Sequence, residues 1–266
     1  MLKIVNITKV FNRGTVNEKT ALENVSLTLE EGDFVTVIGG NGAGKSTLLN
    51  CVAGLYPADS GDIFIDGIKV TKLPEYQRAK YLGRVFQDPM MGTAADMSIN
   101  ENLALAMRRG NTRTLRWGVT AAEKKQYYDM LRSLDLGLEE RMDVRVGLLS
   151  GGQRQALTLL MATLKTPRLL LLDEHTAALD PKTAKKVLEL TDLFIGERQL
   201  TTMMVTHNMR NAIEHGNRLV MMSGGQIVVD VRGDDKACLT VEDLMDMFEQ
   251  ASGGDIITSD KMLLGN

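Results

Sequence analysis

The sequence predicts an α/β fold with a mostly parallel sheet, an antiparallel β subdomain at the N-terminus and an inserted α-helical subdomain. Three observations support this prediction. Strand-like apolar runs alternate with helical segments over most of the 266 residues, which is typical of α/β architecture. Leu169–Leu172 is a continuous apolar run of the kind that forms a parallel strand buried on both faces. Between about residues 90 and 150, strand patterns disappear and helical periodicity dominates.

The composition fits one large domain, or a core with an inserted subdomain. Hydrophobic residues make up 44% of the chain, and 31 basic against 34 acidic residues give a net charge of −3. This balance offers no electrostatic footprint for nucleic acid. Two unclustered cysteines, Cys51 and Cys238, favour a reducing compartment over a disulfide framework or a metal site. The sequence shows neither a signal-peptide core nor an apolar run near the ~20 residues that span a bilayer. We therefore expect any membrane part to be a separate chain.

Alternating apolar residues predict antiparallel strands at the N-terminus. Residues 2–7 alternate first, residues 25–29 alternate after a polar loop, and residues 63–65 lead into Asp66-Gly67, a strong hairpin signal. Phe11 ends the first strand. Its ring would serve either as core packing or as a platform on which an adenine ring stacks.

A glycine-rich stretch at residues 39–47 is the centre of the predicted site. It follows the apolar run 34–38 and precedes the helical run 48–53, which is the context of a phosphate-binding P-loop. In such a loop, backbone N–H groups and the helix N-terminus surround an anion. Lys45 would reach the β- and γ-phosphates of a nucleotide, and Ser46 would hold Mg²⁺. We therefore expect a P-loop NTPase core whose loop contacts nucleotide through Gly39, Asn41, Gly42, Ala43, Gly44, Lys45, Ser46 and Thr47.

The segment up to residue 150 carries the predicted insertion. Residues 74–81 are expected to be helical, and residues 83–86 form a second candidate core strand that ends at Gln87. Helical periodicity follows in residues 98–107 and 121–134. A basic stretch around Trp117 lies in this insert, where a solvated connection is favoured over a surface for RNA or anionic lipid. Its arginines are Arg108, Arg109, Arg113 and Arg116.

Two further motifs point to phosphate chemistry. Ser150-Gly151-Gly152-Gln153 opens a helix that runs to about Leu164, and its N-terminus is either a second anion site or an ordinary N-cap. Asp173 directly follows the leucine run, at the position where P-loop enzymes hold Mg²⁺ with an aspartate. Glu174 is the candidate that polarises the attacking water. Two adjacent carboxylates at a buried strand end need a compensating cation, which Mg²⁺ with nucleotide would supply.

The remaining chain is expected to form a helix, a strand, a hairpin and a final helix. The first helix starts at Asp180-Pro181, and the strand at residues 201–206 ends at His207. The hairpin covers residues 220–229. The final helix starts near Thr240, and its apolar face comprises Val241, Leu244, Met245 and Phe248.

Together these motifs resemble the nucleotide-binding subunit of an ATP-binding cassette (ABC) transporter. The family's order is matched by the P-loop at 39–46, Gln87, the Leu-Ser-Gly-Gly-Gln signature at 149–153, the strand 169–173 with Glu174, the segment 178–180 and His207. The resemblance covers residues 1–235, with the helical subdomain at about residues 90–150. Residues 236–266 are expected to form a C-terminal helix and tail.

The resemblance implies that two such domains pack head to tail, with ATP between the P-loop of one and the signature of the other. Asp180 would lie at the seam of this dimer, and the signature would contact the γ-phosphate. The implied catalytic residues are Glu174 as base, His207 as γ-phosphate sensor, Gln87 and Lys45, and the implied metal ligands are Ser46, Gln87 and Asp173. The implied nucleotide contacts are Phe11, the P-loop residues, Ser150, Gly151, Gly152 and Gln153.

The resemblance also implies partners. They are a second copy or a homologous ABC subunit, transmembrane permease subunits and a solute-binding protein, with the chain in the cytoplasm, peripheral on the inner face of the cell membrane. Residues 173–181 resemble an importer group linked to solute-binding proteins, some members of which are suggested to carry aromatic amino acids. Met90 and Met91 would either help form the permease groove or fill the core of the helical subdomain.

The alternative class is a soluble ABC ATPase of an assembly system, such as iron–sulfur cluster biogenesis. The run at residues 149–155, which is more typical of transporter subunits, and the lack of clustered cysteines stand against it. A two-cassette translation factor is disfavoured because the chain has one P-loop and one signature. His175 replaces a proline of many family members, and we expect no catalytic role for it.

Overall fold

The computed structural model describes residues 1–111 and 118–252. The strands in this part are β1 (Leu2–Phe11), β2 (Lys19–Leu29), β3 (Phe34–Gly39), β4 (Ser60–Ile65), β5 (Ile68–Lys69), β6 (Leu82–Val85), β7 (Leu169–Asp173), β8 (Thr202–Val205), β9 (Arg218–Ser223) and β10 (Gln226–Arg232). The α-helices are α1 (Lys45–Ala53), α2 (Glu75–Arg78), α3 (Ile99–Met107), α4 (Ala121–Arg132), α5 (Gly151–Thr163), α6 (Pro181–Arg198), α7 (Met209–Glu214), α8 (Gly233–Ala237) and α9 (Val241–Ser252).

The larger sheet has six strands in the order β10-β9-β3-β8-β7-β6. Strands β9, β3, β8, β7 and β6 run parallel, and β10 pairs antiparallel with β9 at one edge. The predicted mostly parallel sheet is therefore confirmed. Because the carboxyl ends of parallel strands lie along one side of a sheet, the segments that follow β3, β8, β7 and β6 come together there.

Side chains alternate between the two faces of the larger sheet. On β7, Leu169 and Leu171 pack in one core with α1, whereas Leu170 and Leu172 pack in a second core with α5 and α6. All four leucines are at most 1% exposed, so β7 is buried on both faces, as its unbroken apolar run predicts. Consequently α1 and α5, which begin at the two glycine-rich motifs, lie on opposite faces of the sheet.

The smaller sheet is antiparallel and has the order β2-β1-β4-β5, which confirms the predicted N-terminal β subdomain. Asp66 and Gly67 join β4 to β5 with φ values of 52° and 75°, as a type I′ hairpin turn requires. Inward side chains of this sheet, such as Ile4 and Ile63, join the core that contains α1. The smaller sheet therefore covers the same face of the larger sheet as the P-loop helix.

Helices α3 and α4 occupy the segment in which a helical insertion is predicted. Each starts with a capping box, Ser98 with Glu101 in α3 and Thr120 with Glu123 in α4. The segment also contains an isolated antiparallel pair between Ser98 and Arg145. Of the predicted basic stretch, Arg113, Arg116 and Trp117 lie outside the described residues.

Two sequence-based expectations differ from the structure, and two short helices are not predicted. Helix α2 covers Glu75–Arg78 rather than residues 74–81, and Arg78 turns inward to donate to four backbone carbonyl groups. The short helices α7 and α8 have no predicted counterpart. Met245 is 37% exposed rather than buried, because Leu244, Met247 and Phe248 form the face of α9 that packs on α7 and β9.

Within residues 1–111 and 118–252, no helix combines the length and apolar character needed to cross a membrane. The predicted boundary after residue 235 falls inside α8. The division of the chain into domains stays a prediction.

Candidate nucleotide site

The P-loop joins β3 to α1 by a path that only glycine can follow at two points. Gly39 has φ 147°, and a Cβ there would lie 2.2 Å from the carbonyl oxygen of Met222. Gly44 has φ 103°, and a Cβ there would lie 2.5 Å from the carbonyl oxygen of Ala21. Substitution at either glycine would push the loop away from its neighbours, so the spacing of glycines in the sequence has a steric cause here.

Lys45 is the first residue of α1 and is 7% exposed. Its Nζ donates to the carbonyl oxygens of Gly39 and Gly40, at 2.8 and 3.0 Å. The ammonium group thus lies inside the loop that would surround a phosphate. Asn41, Gly42 and Ser46 are exposed, Thr47 is half-buried and Ala43 is buried.

Ser46 and Asp173 come together across the carboxyl ends of β3 and β7. Ser46 Oγ lies 3.4 Å from Asp173 Oδ1. The other carboxylate oxygen, Oδ2, lies 3.6 Å from Arg84 Nη2 on β6. Burial raises the pKa of Asp173, and Arg84 opposes that shift. A hydroxyl and a carboxylate oxygen at this spacing are hard ligands of the type that Mg²⁺ takes, so the residues fit the metal.

Glu174 and His207 face each other at the ends of β7 and β8. His207 Nδ1 lies 3.4 Å from Glu174 Oε2. The hydrogen bond from His207 lowers the pKa of Glu174, and the same bond raises the pKa of His207. Glu174 has φ 44°, a left-handed conformation that costs a non-glycine residue about 1–3 kcal/mol and clusters at functional sites.

Gln87 and Phe11 lie at the margins of this region. Gln87 is exposed and lines a cavity of about 490 Å³ together with Arg84 and Asp173. Phe11 is half-buried and contacts Tyr56 edge to face, with ring centres 5.3 Å apart. Phe11 also pairs with Lys19 across β1 and β2, and Lys19 Nζ lies 3.3 Å from where a Cβ of Gly42 would be. The ring therefore lies on the P-loop side of the molecule.

The signature residues form the N-terminus of α5. Ser150 Oγ accepts from the backbone N–H of Gln153, and the Gln153 side chain accepts from the N–H of Ser150. Ser150 and Gly151 are exposed, but Gly152 is buried, and a Cβ there would lie 1.9 Å from Thr183 Cγ2 on α6. Gly152 is therefore needed for close packing of α5 on α6, and this requirement is independent of any contact with phosphate. The same arrangement is an N-cap and leaves an exposed helix end.

His175 is a buried structural side chain rather than a group that faces the site. It is 2% exposed, and Nε2 lies 3.1 Å from Thr191 Oγ1. Since the Thr191 hydroxyl donates to the carbonyl of Val187, its oxygen accepts from His175 Nε2–H, which places a proton on Nε2. Burial lowers the pKa of His175 to about 4.

Sequence reasoning missed two side chains that hold the site together. Gln155 on α5 is fully buried and donates through Nε2 to the carbonyl oxygens of Phe86 and His175, at 3.0 and 2.6 Å. It therefore ties the segments that carry Gln87 and Glu174 to one helix. Arg84 is the second. A charged residue inside the apolar run 83–86 was the available sequence signal for Arg84, and membership of the run 149–155 was the available signal for Gln155.

Comparison with known proteins agrees with this geometry. The family described as ABC transporter matches residues 22–177, more than half of the chain. The chain belongs to the ABC transporter family. It is 45% identical over 251 residues to a tyrosine transport ATP-binding protein of Clostridioides difficile, covering 94% of this chain and 100% of that protein. It is 32% identical to a phosphonates import ATP-binding protein of Lactobacillus delbrueckii, covering 88% of this chain and 91% of the relative.

Solved ABC cassettes share the fold. A dimeric cassette in a post-hydrolysis state bound to ADP and phosphate superposes with a TM-score of 0.74 at 30% identity, covering 87% of this chain and 98% of that one. This ABC chain is therefore the ATP-binding subunit of a transporter, and it is an ATPase.

Proposed function

We propose that this ABC subunit powers a solute importer as a head-to-tail dimer around two ATP molecules with Mg²⁺. The observation that carries this proposal is the location of α1 and α5 on opposite faces of the sheet. A phosphate held at the P-loop of one chain would then be met by the exposed α5 terminus of a second chain. The similar cassettes that have been solved as dimers, one of them bound to ADP and phosphate, support a dimer.

Each residue at the strand ends would have a distinct part in hydrolysis. Lys45 and the P-loop N–H groups would hold the phosphates, while Phe11 would stack on adenine. Glu174 would act as general base on the attacking water, since its lowered pKa keeps it ionised. His207, whose raised pKa favours a bound proton, would donate to a γ-phosphate oxygen. Ser150, Gly151, Gly152 and Gln153 of the second chain would complete the site.

Ser46, Asp173 and Gln87 would hold Mg²⁺. Their oxygens are hard donors, and the first two already lie 3.4 Å apart. Bound Mg²⁺ would neutralise charge on the β- and γ-phosphates. Gln87 lines the cavity that Asp173 also lines. It would link the site to the helical segment that follows it.

The permease subunits would dock beside Gln87 and α3. Met90 and Met91 are 42% and 67% exposed, which favours a docking role over a role in the subdomain core. A neighbouring cavity of about 840 Å³ opens between α2, α3 and α5, with Tyr76 and Leu105 on its lining. Docking there would place the chain at the cytoplasmic face of the cell membrane.

An aromatic amino acid is the proposed solute class. The similarity to a tyrosine transport ATP-binding protein over nearly the whole chain supports it. The solute would bind to the solute-binding protein and permease rather than to this subunit. A ligand screen on the solute-binding protein tests this part, and selective binding of an unrelated solute would refute it.

Co-purification tests the importer assignment. The tagged chain extracted in mild detergent is expected to retain a multi-spanning membrane protein, whereas the alternative assembly class predicts a soluble scaffold. Replacement of Met90 and Met91 by glutamate should release the membrane protein while ATP binding stays unchanged. Replacement of the exposed Val16 and Val228 by glutamate is the matched control. Unchanged assembly of the methionine variant would show that these residues do not dock the permease.

A further inference from the structure

Arg84 is a charged residue within the larger sheet that the roles above do not use. It lies on β6, next to β7, and its side chain is 12% exposed. Its Nε and Nη1 atoms are buried and have no hydrogen-bond partner among the described residues. Such a group costs free energy compared with an apolar side chain of similar size. Stability alone therefore does not explain why arginine stands at this position.

Three elements of the site meet at the Arg84 guanidinium. Nη2 donates to Asn50 Oδ1 on the P-loop helix at 2.5 Å, and it lies 3.6 Å from Asp173 Oδ2. The guanidinium carbon lies 4.4 Å from the centre of the Phe86 ring, one residue before Gln87. Contact with α1, with the end of β7 and with the segment after β6 holds the side chain in one orientation.

The two oxygens of the Asp173 carboxylate have separate partners. Oδ1 faces Ser46 Oγ, and Oδ2 faces Arg84. A carboxylate that is held by one oxygen can present the other in a constant direction. Groups that hold a metal-ligating carboxylate in this way typically change metal affinity about 10–100-fold when removed.

We propose that Arg84 is a positioning residue that holds Asp173 by Oδ2 and leaves Oδ1 directed at Mg²⁺ beside Ser46. The inference rests on the proposed magnesium site. Removal of Arg84 should therefore weaken Mg²⁺ binding. If the guanidinium acted only as a nearby positive charge, it would repel Mg²⁺, and its removal would strengthen Mg²⁺ binding.

Binding of a non-hydrolysable ATP analogue across a range of free Mg²⁺ concentrations tests the proposal. The Mg²⁺ concentration at half-maximal effect is read from the rise in melting temperature. Arg84→Met is expected to raise this concentration about tenfold. Its melting temperature without ligand should fall below that of the parent chain, because Asp173 loses its buried counter-charge and Asn50 Oδ1 loses its donor. Arg84→Lys keeps the positive charge but loses the planar guanidinium group. Its half-maximal Mg²⁺ concentration should lie between those of the parent and Arg84→Met. Arg109→Met, which removes a partly buried guanidinium that donates to the carbonyl of Ala162, is the matched control and should behave as the parent.

The outcomes separate the two proposals. An unchanged or lower half-maximal Mg²⁺ concentration in Arg84→Met, with a Mg²⁺-dependent parent, would overturn the role of Arg84 alone. A lower melting temperature with no Mg²⁺ effect would show a structural role and would also overturn it. A parent chain that binds the analogue equally without Mg²⁺ would refute the magnesium site itself. If Arg84→Met does not fold, Arg84→Lys decides, because a parent-like value there contradicts the proposal.

Discussion

At the scale of single residues, Glu174 is the proposed general base. It follows a buried strand, has a left-handed backbone and contacts His207. Glu174→Gln keeps the size of the side chain and removes its basicity. The variant should bind ATP like the parent and hydrolyse it about 10²-fold more slowly or worse.

Phosphate release and equilibrium ATP binding, measured on the same preparation, check this prediction. Glu189→Gln, at an exposed position on α6, is the control for loss of a carboxylate and should hydrolyse ATP normally. Hydrolysis by Glu174→Gln at the parent rate would show that another group is the base.

The buried His175 predicts a pH dependence of stability. Its pKa is about 4 in the folded chain and about 6.5 when unfolded, so the unfolded state binds more protons between these values. Stability contributed by His175 is therefore complete above pH 6.5 and falls as the pH drops toward 4. At pH 5 the loss is about 2 kcal/mol.

His175→Gln should reduce this acid sensitivity while leaving hydrolysis at pH 8 close to that of the parent. Chemical unfolding of both proteins at pH 7.5 and pH 5 measures the difference. Equal loss of unfolding free energy in the two proteins would mean that His175 is not the group responsible.

At the scale of elements, α5 connects the signature to the edge of the sheet that carries Gln87 and Glu174. Gln155 donates to the partly buried carbonyl of Phe86 and to the buried carbonyl of His175, and loss of a donor to a buried acceptor costs about 1–3 kcal/mol. Gln155→Leu should lower kcat about tenfold with a smaller change in KM, because the segments that carry Gln87 and Glu174 lose a common anchor.

Steady-state kinetics on Gln155→Leu and on Gln226→Leu test this role. Gln226 is exposed and bonds to Glu23 at the surface, so its variant should match the parent. A kcat for Gln155→Leu equal to that of the parent would show that Gln155 does not anchor the segments that carry Gln87 and Glu174.

Local patterns predicted the long elements better than the short ones. The strand of four leucines and the helix capped by Ser150 follow from apolar runs and capping residues within a few positions. Helices α7 and α8 are too short for periodicity to reveal, and tertiary packing decides their formation. The misplaced Met245 has the same origin, since a stripe of apolar residues on α9 does not show which edge meets α7.

At the scale of the whole molecule, strand order decides which predicted residues meet. The sequence places Asp173, His207, Gln87 and the P-loop after strands, but not those strands side by side. The order β3-β8-β7-β6 brings Glu174 to His207 and Asp173 to Ser46. Arg84 and Gln155 escaped sequence reasoning because their partners lie 20 to 89 positions away along the chain and depend on that order.

Sedimentation velocity of Glu174→Gln tests whether one ATP site needs two chains. Without nucleotide the variant should sediment as a monomer, and with ATP and Mg²⁺ as a dimer. Adding Ser150→Arg should leave ATP bound but return the protein to monomer, because the bulky cation disrupts the exposed helix end that would meet the partner's nucleotide. If Glu174→Gln stayed a monomer with ATP bound, or if it stayed a dimer after Ser150→Arg was added, the ATP site would not need the signature of a second chain.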